Sequence, residues 1–432
     1  MNVWRRLFPV RSASGPGQFE RDVEPAIASG AAGVAAPGTG ALWSEPAIAV
    51  ALPGLAVLLG LALAGRSNDL LPSQARLAVV LAWPVAMLLV AKTGRTWIAA
   101  AFCVAAGILL RWVDFWPGGG SDVLNAVDEA LRTFFSGASP YDHYYLTTRP
   151  PGSLMPYPPG QLILHFPGWL VDGYDGVRLT ELGSAIVAMA ILAGLAVRAA
   201  PTVGLVSLAL YAGLPNLINL TGDGGNDTSA GVVVLVSILI VAWASRRSMT
   251  GWRAVAAGVA VGLALATKQS TLLFGVALSM YVAGAHRPAL GRYLAGLAGT
   301  LLLVSIPFLL LGPVAYIHGV STLGPHDIQV YGWNVWVLVQ GLGGTVPDGP
   351  TASLINLFVT VDMLIIVAVL SMRGVAAAAL AGVLATLAAL LTADWTSYSY
   401  FALVLTPLAA IPALVAWELG SRRGSDNVPV TA

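Results

Sequence analysis

The chain has 432 residues, of which 57% are apolar and only 10% are charged. A soluble domain carries about 25% charged residues, so this chain has too few to cover a water-facing surface. Uncharged runs of about 15 to 22 residues recur along it, close to the length that crosses a hydrocarbon core. A single cysteine, Cys103, excludes a disulfide framework, and the net charge of +1 gives no indication of a nucleic-acid partner.

The first 45 residues carry several arginines and then a run rich in Gly, Ala and Pro, which predicts a disordered cytoplasmic tail over 1–45. Twelve apolar runs follow, and each is a candidate membrane-spanning helix. They cover 46–65, 73–91, 95–113, 177–198, 201–220, 228–245, 252–267, 269–285, 292–312, 352–372, 374–392 and 396–418. We therefore predict an all-α, polytopic helical bundle over 46–418 and a second cytoplasmic tail over 419–432.

The basic residues predict the orientation of this bundle. With both termini cytoplasmic, 15 of the 22 Lys and Arg residues fall on the inner side. Cytoplasmic loops are enriched in Lys and Arg, so this orientation is favoured over the inverted one. Two long loops then lie outside, at 114–176 and 313–351. Asp362 lies within the span 352–372, where a carboxylate is expected to face the bundle interior or a polar cavity.

Two segments test the number of spans. The segment 254–285 contains one charged residue, Lys268. As a single helix it would be about 48 Å long, which exceeds the thickness of a bilayer. Basic residues flank it on both sides, so we predict a hairpin with Lys268 at its outer turn, near the outer surface. The run 161–171 is too short to span and predicts a re-entrant or interfacial helix.

The first outer loop, 114–176, is dense in acidic and aromatic residues. Carboxylates can take protons from sugar hydroxyls and aromatic rings stack on sugar faces, so this composition is typical of a sugar site. Asp122 can equally cap the helix predicted after it, which Gly137 would end. The apolar positions of that helix are Leu124, Val127, Leu131 and Phe134.

An ordered series of motifs resembles the bacterial C-superfamily (GT-C) glycosyltransferases, and most closely the polyprenyl-phosphate-mannose-dependent mannosyltransferases. The C-terminal third of the chain matches them only in hydropathy. The motifs are Asp122-Val, Glu129-Ala130, Gly137-Ala-Ser-Pro140-Tyr141-Asp142, Tyr157-Pro-Pro-Gly160 and Gly262-Leu-Ala-Leu-Ala-Thr-Lys268.

This resemblance implies an enzyme of the bacterial plasma membrane. A sugar, mannose in the closest branch, would pass with inversion from a polyprenyl-phosphate donor to a lipid or glycan acceptor at the outer face. The resemblance assigns Asp122 as the base, with Asp114 as its rival. It implies no cofactor, since the lipid-linked sugar is a substrate. It also implies a groove for the lipid tail, with a cation at the mouth of that groove.

Residue chemistry adds further candidates for the donor phosphate and the acceptor. Lys268 can bind the donor phosphate, although an interfacial lysine can equally snorkel to the headgroups. The remaining candidates fall into three groups by chemistry. They are Arg149 and His165 for the phosphate, Asp227, Glu129 and Asp142 as further acidic groups, and Tyr141 and Tyr157 for the sugar. Asp227 can instead cap the next helix. No ligand spacing resembles a metal site, so we predict a metal-independent reaction.

Two other functions compete with sugar transfer. Twelve helices with both ends inside is a common layout of transporters and flippases. A non-catalytic protein of envelope assembly could share the same fold. Convergence of Asp122, Asp227 and Lys268 on one cavity would favour the enzyme. The oligomeric state, the sugar and the acceptor cannot be predicted from these residues.

Overall fold

The computed structural model describes most of the chain from residue 95 onward. The described residues are 95–116, 120–148, 151–199, 201–223, 225–246, 249–321, 331–332, 334–393, 395–396 and 400–425, with isolated positions 82, 85 and 93. The predicted tail at 1–45 and the predicted span at 46–65 lie outside these residues. So does almost all of the predicted span at 73–91.

The described residues form an α-helical bundle. Its helices are α1 (Thr96–Phe115), α2 (Asp122–Phe135), α3 (Gly160–Ala199), α4 (Pro201–Gly213), α5 (Pro215–Asp223), α6 (Asp227–Ser245), α7 (Trp252–Thr267), α8 (Leu272–Ala285), α9 (Leu290–Leu311), α10 (Pro313–Ser321), α11 (Val335–Gly341), α12 (Gly349–Ser371), α13 (Val375–Thr392) and α14 (Tyr400–Ser425). Two short strands, β1 (Tyr331–Gly332) and β2 (Trp395–Thr396), pair in parallel.

The apolar runs predict the spans well. Every predicted span from 95–113 onward coincides with a helix or with the bent pair of α4 and α5. Among the described residues, seven helices are long and apolar enough to cross a membrane, and the bent pair makes an eighth. α7 and α8 are shorter apolar helices. The all-α, polytopic architecture is therefore confirmed, and α14 continues through Ser425 into the predicted tail.

The predicted hairpin at Lys268 is confirmed. Lys268 has an extended backbone (φ −156, ψ 140) that ends α7, and a short 3-10 helix over Gln269–Thr271 leads into α8. Gly275 of α8 lies against the side chain of Leu265 in α7. The chain therefore reverses at Lys268.

Small residues let α7 and α9 pack closely side by side. Gly258 faces the backbone carbonyl of Tyr293. Gly262, which lies further along α7, faces the backbone carbonyl of Leu297, which lies further along α9. The two helices are therefore parallel, with α8 returning between their ends. Close approach at glycine is the usual way in which membrane helices gain packing contacts.

The helix α3 is a helical hairpin with two antiparallel arms. Its backbone leaves the helical conformation at Asp172 (φ −148) and Gly173 (φ 50, ψ −121). The backbone of Gly168 in the first arm packs against that of Gly176 in the second. The segment predicted as re-entrant or interfacial is thus a separate first arm, folded against the start of the span that follows.

We call α2, the 3-10 helix Pro140–Asp142, the first arm of α3 (160–171) and α10 together the cap. The cap has an apolar core of its own, which α9 completes through Phe308. The helix predicted in the first loop is confirmed: Leu124, Val127 and Leu131 are buried, and Gly137 (φ 85) follows its end. The described part of the predicted first outer loop therefore forms, together with α10, an ordered unit seated on one end of the bundle.

The expectation for Asp362 was wrong. Asp362 lies exposed on α12 rather than inside the bundle. The reason is the peripheral position of α12, since only 6% of its membrane-spanning window is buried inside the structure. Hydropathy identifies a span but not the side on which a single carboxylate lies.

Candidate functional site

A buried ion pair lies where the cap meets the bundle. Asp227 is the first residue of α6, and Lys268 occupies the turn between α7 and α8. The Lys268 Nζ lies 2.5 Å from Asp227 Oδ1 and 2.9 Å from the side-chain oxygen of Asn226. Only 4% of Lys268 and 2% of Asp227 is exposed. Such burial requires a partner, because an uncompensated buried charge costs several kcal/mol.

Two tyrosine rings enclose the Lys268 ammonium. Its Nζ lies 4.4 Å from the ring centre of Tyr400, in the first turn of α14, and 5.5 Å from that of Tyr157. Both distances allow cation–π attraction. The cap closes over the turn, and the side chain of Gln269 donates a hydrogen bond to the carbonyl of Pro156. Lys268 is therefore buried beneath the cap, and its position near the outer membrane surface stays a prediction.

Tyr157 connects the ion pair to Asp122. Burial raises the pKa of the Tyr157 phenol well above its ordinary value, and the nearby Tyr400, Asp227 and Asp122 raise it further. Tyr157 therefore stays neutral at physiological pH. The charges of Asp122 on the cap and of Asp227 on the bundle both act on this phenol, so both carboxylates lie within electrostatic range of Tyr157.

Asp122 is not the cap of α2. The hydroxyl of Ser121 accepts a hydrogen bond from the Leu124 amide at 3.1 Å and takes that role. Asp122 itself is half-buried and accepts from the amide of Val123 at 3.0 Å. The helix therefore has its cap without Asp122, which weakens the purely structural interpretation of this carboxylate.

Asn226 offers a hydrogen-bond donor inside the site. It stands at the N-cap of α6, yet its side chain makes no capping bond and turns its oxygen to Lys268. Its Nδ2 is buried and has no acceptor among the described residues, and the same holds for the Thr228 hydroxyl. A buried donor without an acceptor is costly, so such groups in a site indicate a ligand oxygen or water.

A second buried pair, His165 and Glu181, contacts the first turn of α6. Glu181 Oε1 lies 2.9 Å from His165 Nε2, and Glu181 Oε2 accepts from the Ser229 amide at 3.0 Å. His165 Nδ1 lies 2.9 Å from the carbonyl of Gln161. Both Glu181 and His165 are 0% exposed. His165, predicted as a phosphate ligand, thus pairs with Glu181 rather than with the Lys268 cluster.

Glu181, Asn226 and Tyr400 were not predicted as site residues from the sequence. Glu181 carried a usable signal, since an ionisable residue inside a predicted span is a functional candidate by default. Asn226 precedes a predicted Asp and carries no comparable signal. Tyr400 is one aromatic among many at helix ends.

The remaining predicted acidic residues are dispersed. Asp114 is buried at the end of α1, with its carboxylate beside Gly222. Glu129 lies 2.7 Å from His143 Nε2 on the cap. Asp142 is exposed in the 3-10 helix. The structure does not bring these three carboxylates to the Lys268 ion pair.

The two predicted sugar-stacking rings have different positions. Tyr157 contacts Lys268, as described above. Tyr141 is 0% exposed, donates its hydroxyl to the Tyr157 carbonyl at 2.8 Å and packs edge-on against Tyr316 and Phe308. This burial favours a packing role for Tyr141. The predicted phosphate ligand Arg149 lies outside the described residues.

A largely apolar cavity of about 1080 Å³ is lined in part by Phe401, the residue after Tyr400. It lies between α11, the end of α13 and the start of α14. Its lining residues are Asn334, Val335, Val337, Leu338, Gly341, Leu342, Ala388, Leu391, Thr392 and Phe401. Phe401 of this lining directly follows Tyr400, whose ring faces Lys268, so the ion pair and the cavity are neighbours along α14.

Comparison with known proteins gives a match over part of the chain. Residues 170–310 match the model of a family described as dolichyl-phosphate-mannose-protein mannosyltransferase. No curated protein and no solved structure matches the chain significantly. The matched segment contains Glu181, Asp227 and Lys268 but not Asp122, and it supports a membrane glycosyltransferase of the mannosyltransferase type. The resemblance to glycosyltransferases that the motifs indicate is thus confirmed over 170–310, which carries the pattern of the dolichyl-phosphate-mannose-protein mannosyltransferase family.

Proposed function

We propose that the chain transfers a sugar, mannose as the first candidate, from a polyprenyl-phosphate donor to a lipid or glycan acceptor at the outer face of the plasma membrane. One observation carries this proposal: a buried ammonium, Lys268, lies within the family-matched segment, and its neighbour Tyr400 directly precedes Phe401, which lines an apolar cavity. A lipid phosphate needs both features. The metal-independent course of the reaction is part of the proposal.

The donor would bind across the two neighbouring sites. The cavity beside Phe401 takes part of the apolar polyprenyl chain, and the phosphate comes to Lys268 Nζ and Asn226 Nδ2. Both groups are hydrogen-bond donors in a site of low dielectric, where charge–charge attraction is stronger than in water. They would bind the phosphate more tightly as the sugar leaves and its charge increases.

The acceptor would react from the cap side. Its hydroxyl oxygen attacks the anomeric carbon on the face opposite the phosphate, so that a new carbon–oxygen bond forms as the bond to the phosphate oxygen breaks. Asp122 takes the hydroxyl proton, and polyprenyl phosphate leaves. Asp227 and Asp114 are the alternative bases. Each is less available than Asp122, because Asp227 is held by Lys268 and the Asp114 carboxylate lies beside Gly222.

The test uses the purified full chain in vesicles with radiolabelled polyprenyl-phosphate sugars and membrane-lipid acceptors. Asp122→Asn is expected to lower transfer about 100-fold or more, because an amide keeps the shape but cannot take the proton. Asp142→Asn, an exposed position on the same cap, is the matched control and should leave transfer unchanged.

Two results would reject parts of the proposal. Transfer by Asp122→Asn at the wild-type rate, together with its loss in Asp227→Asn or Asp114→Asn, would move the base to that residue. Absence of transfer from every donor, with movement of the labelled lipid across the vesicle membrane, would favour a transporter.

A further inference from the structure

Glu181 is a buried carboxylate that joins two segments of the site. It lies in the second arm of α3, and its two oxygens have different partners: one faces His165 at 2.9 Å and the other accepts from the Ser229 amide at 3.0 Å. Ser229 is the third residue of α6, two positions after Asp227. Glu181 therefore touches the helix turn that carries Asp227 without touching Lys268 itself.

This contact replaces the usual cap of α6. The first amides of a helix lack partners within the helix, and a side chain at the N-cap normally satisfies one of them. Here the N-cap residue, Asn226, makes no such bond, and its oxygen binds Lys268 instead. Because Glu181 satisfies the Ser229 amide, the Asn226 side chain is available to the site.

His165 holds Glu181 in this position. Its Nε2 faces Glu181 at 2.9 Å, and its Nδ1 lies 2.9 Å from both the carbonyl oxygen and the side-chain nitrogen of Gln161. The ring is buried in the first arm of α3, which packs against the arm of Glu181. The carboxylate is thus fixed from one side by the hairpin and from the other by α6.

We propose that Glu181, oriented by His165, is a positioning residue that sets the first turn of α6 so that Asn226 and Asp227 meet Lys268. The effect on turnover rests on the proposed transferase function, whereas the effect on α6 does not. Small displacements of catalytic groups are known to cost up to about 100-fold in rate, so a loosened helix turn is expected to be visible in turnover.

The chain provides a matched control in Glu418. Its Oε1 accepts from the Ala376 amide at 3.0 Å, at the start of α13. That start is the opposite end of α13 from Thr392, which lines the cavity. Glu181 and Glu418 therefore make the same kind of bond to a helix start, and only Glu181 does so beside the ion pair.

The experiment compares Glu181→Ala, Glu181→Gln and Glu418→Ala in the full chain, by hydrogen exchange and by transfer at saturating donor. Glu181→Ala should speed exchange in the peptide containing Ser229 and lower turnover about tenfold or more. Glu181→Gln keeps an oxygen for the Ser229 amide and should therefore retain most of the wild-type exchange protection and most of the wild-type turnover. Glu418→Ala should speed exchange only near Ala376, with turnover within about twofold of wild type.

Each other outcome decides against a part of the inference. Unchanged exchange at Ser229 in Glu181→Ala would overturn the positioning of α6. Faster exchange with wild-type turnover would reduce Glu181 to a structural cap. If the alanine variant does not fold, Glu181→Asp, which is one methylene shorter, should change both readouts in the same direction. A wild-type chain without transferase activity would reject the proposed function, while the exchange comparison would still decide the role of Glu181 in α6.

Discussion

Lys268 carries its charge in a nearly closed site, and the groups around it compensate that charge in different ways. Asp227 supplies a full negative charge, Asn226 a dipole, and Tyr157 and Tyr400 the faces of their rings. A donor phosphate would compete with Asp227 for the same ammonium. In the proposed function, the pair would keep the site stable before the donor arrives, and Asp227 would be the group that the phosphate displaces.

Single and double substitutions should separate stability from activity in this pair. Lys268→Met and Asp227→Asn are each expected to destabilise the protein, by about 3–5 kcal/mol for Lys268→Met, because removal of the lysine leaves a buried carboxylate uncompensated. The double variant should recover much of that loss, while transfer stays absent. Thermal unfolding in detergent, with a transfer assay alongside, measures both. A double variant less stable than either single one would contradict the pairing.

Tyr157 predicts a specific response to alkaline pH. Its pKa is raised in the folded state by burial first and by neighbouring Tyr400, Asp227 and Asp122. Above about pH 10 the unfolded chain loses this proton while the folded chain keeps it, so Tyr157 contributes stability below that pH and loses it as the pH rises. Tyr157→Phe should therefore lose less stability between pH 9 and pH 11 than wild type. Parallel unfolding curves for the two proteins would contradict this prediction.

The sequence identified Lys268 and Asp227 because a charge between two apolar runs is conspicuous in local sequence. It did not identify the partners of these residues. The contacts of Lys268 with Asn226 and Tyr400 join segments far apart in the chain, and no hydropathy pattern records such contacts. The burial of Lys268 depends in the same way on how the cap folds over it.

At the scale of elements, the break in α3 and the break between α4 and α5 have different origins. The break in α3 follows from length, since 161–171 is too short to cross a membrane, and it was predicted. The break between α4 and α5 was not predicted, because 201–220 carries no charged residue and has the length of one span. Pro215 starts α5 there, and a proline cannot donate the backbone hydrogen bond that a continuous helix needs.

The break between α4 and α5 explains a buried arginine. Arg111 of α1 is 0% exposed and donates to the carbonyls of Ala212 at 2.9 Å and Tyr211 at 3.0 Å. These carbonyls lie at the end of α4, where a helix leaves acceptors without internal partners and favours a cation. Arg111 therefore satisfies the acceptors that the bend exposes.

The hairpin of α3 predicts an effect of glycine substitution. Gly176→Ala is expected to destabilise the protein by about 1–3 kcal/mol, because a Cβ there would collide with the backbone of Gly168 rather than with a movable side chain. Gly183→Ala in the same arm is the control. A Cβ there meets nothing within 4 Å, and alanine is the better helix former by about 1 kcal/mol. Equal unfolding temperatures of the two variants would contradict the close packing of the arms.

At the scale of the whole molecule, one end of the bundle carries the cap, the ion pair and the cavity. The basic residues predict that this end faces outward. The burial of Lys268 makes that lysine a poor probe of orientation, whereas Ser136 on the cap and Thr250 before α7 are both exposed and lie at opposite ends. They form a suitable pair.

Thiol labelling of these two positions tests the orientation. In a Cys103→Ala background, a membrane-impermeant reagent should label Ser136→Cys in intact cells and Thr250→Cys only after permeabilisation, because the cap is predicted to lie outside. Cys103 itself is 0% exposed, so its replacement removes a silent thiol. Labelling in the reverse order would invert the topology.

The two helices that meet at Lys268 are unusually short for a membrane. α7 has 16 residues and α8 has 14, so they are about 24 and 21 Å long, against a hydrocarbon core of roughly 30 Å. We therefore expect their turn to lie below the headgroup level, so that a donor phosphate would have to descend to Lys268 or the bilayer would have to thin around the cap. Membrane thickness becomes a control on the reaction: vesicles of short-chain lipids should support faster transfer than vesicles of long-chain lipids at equal donor density.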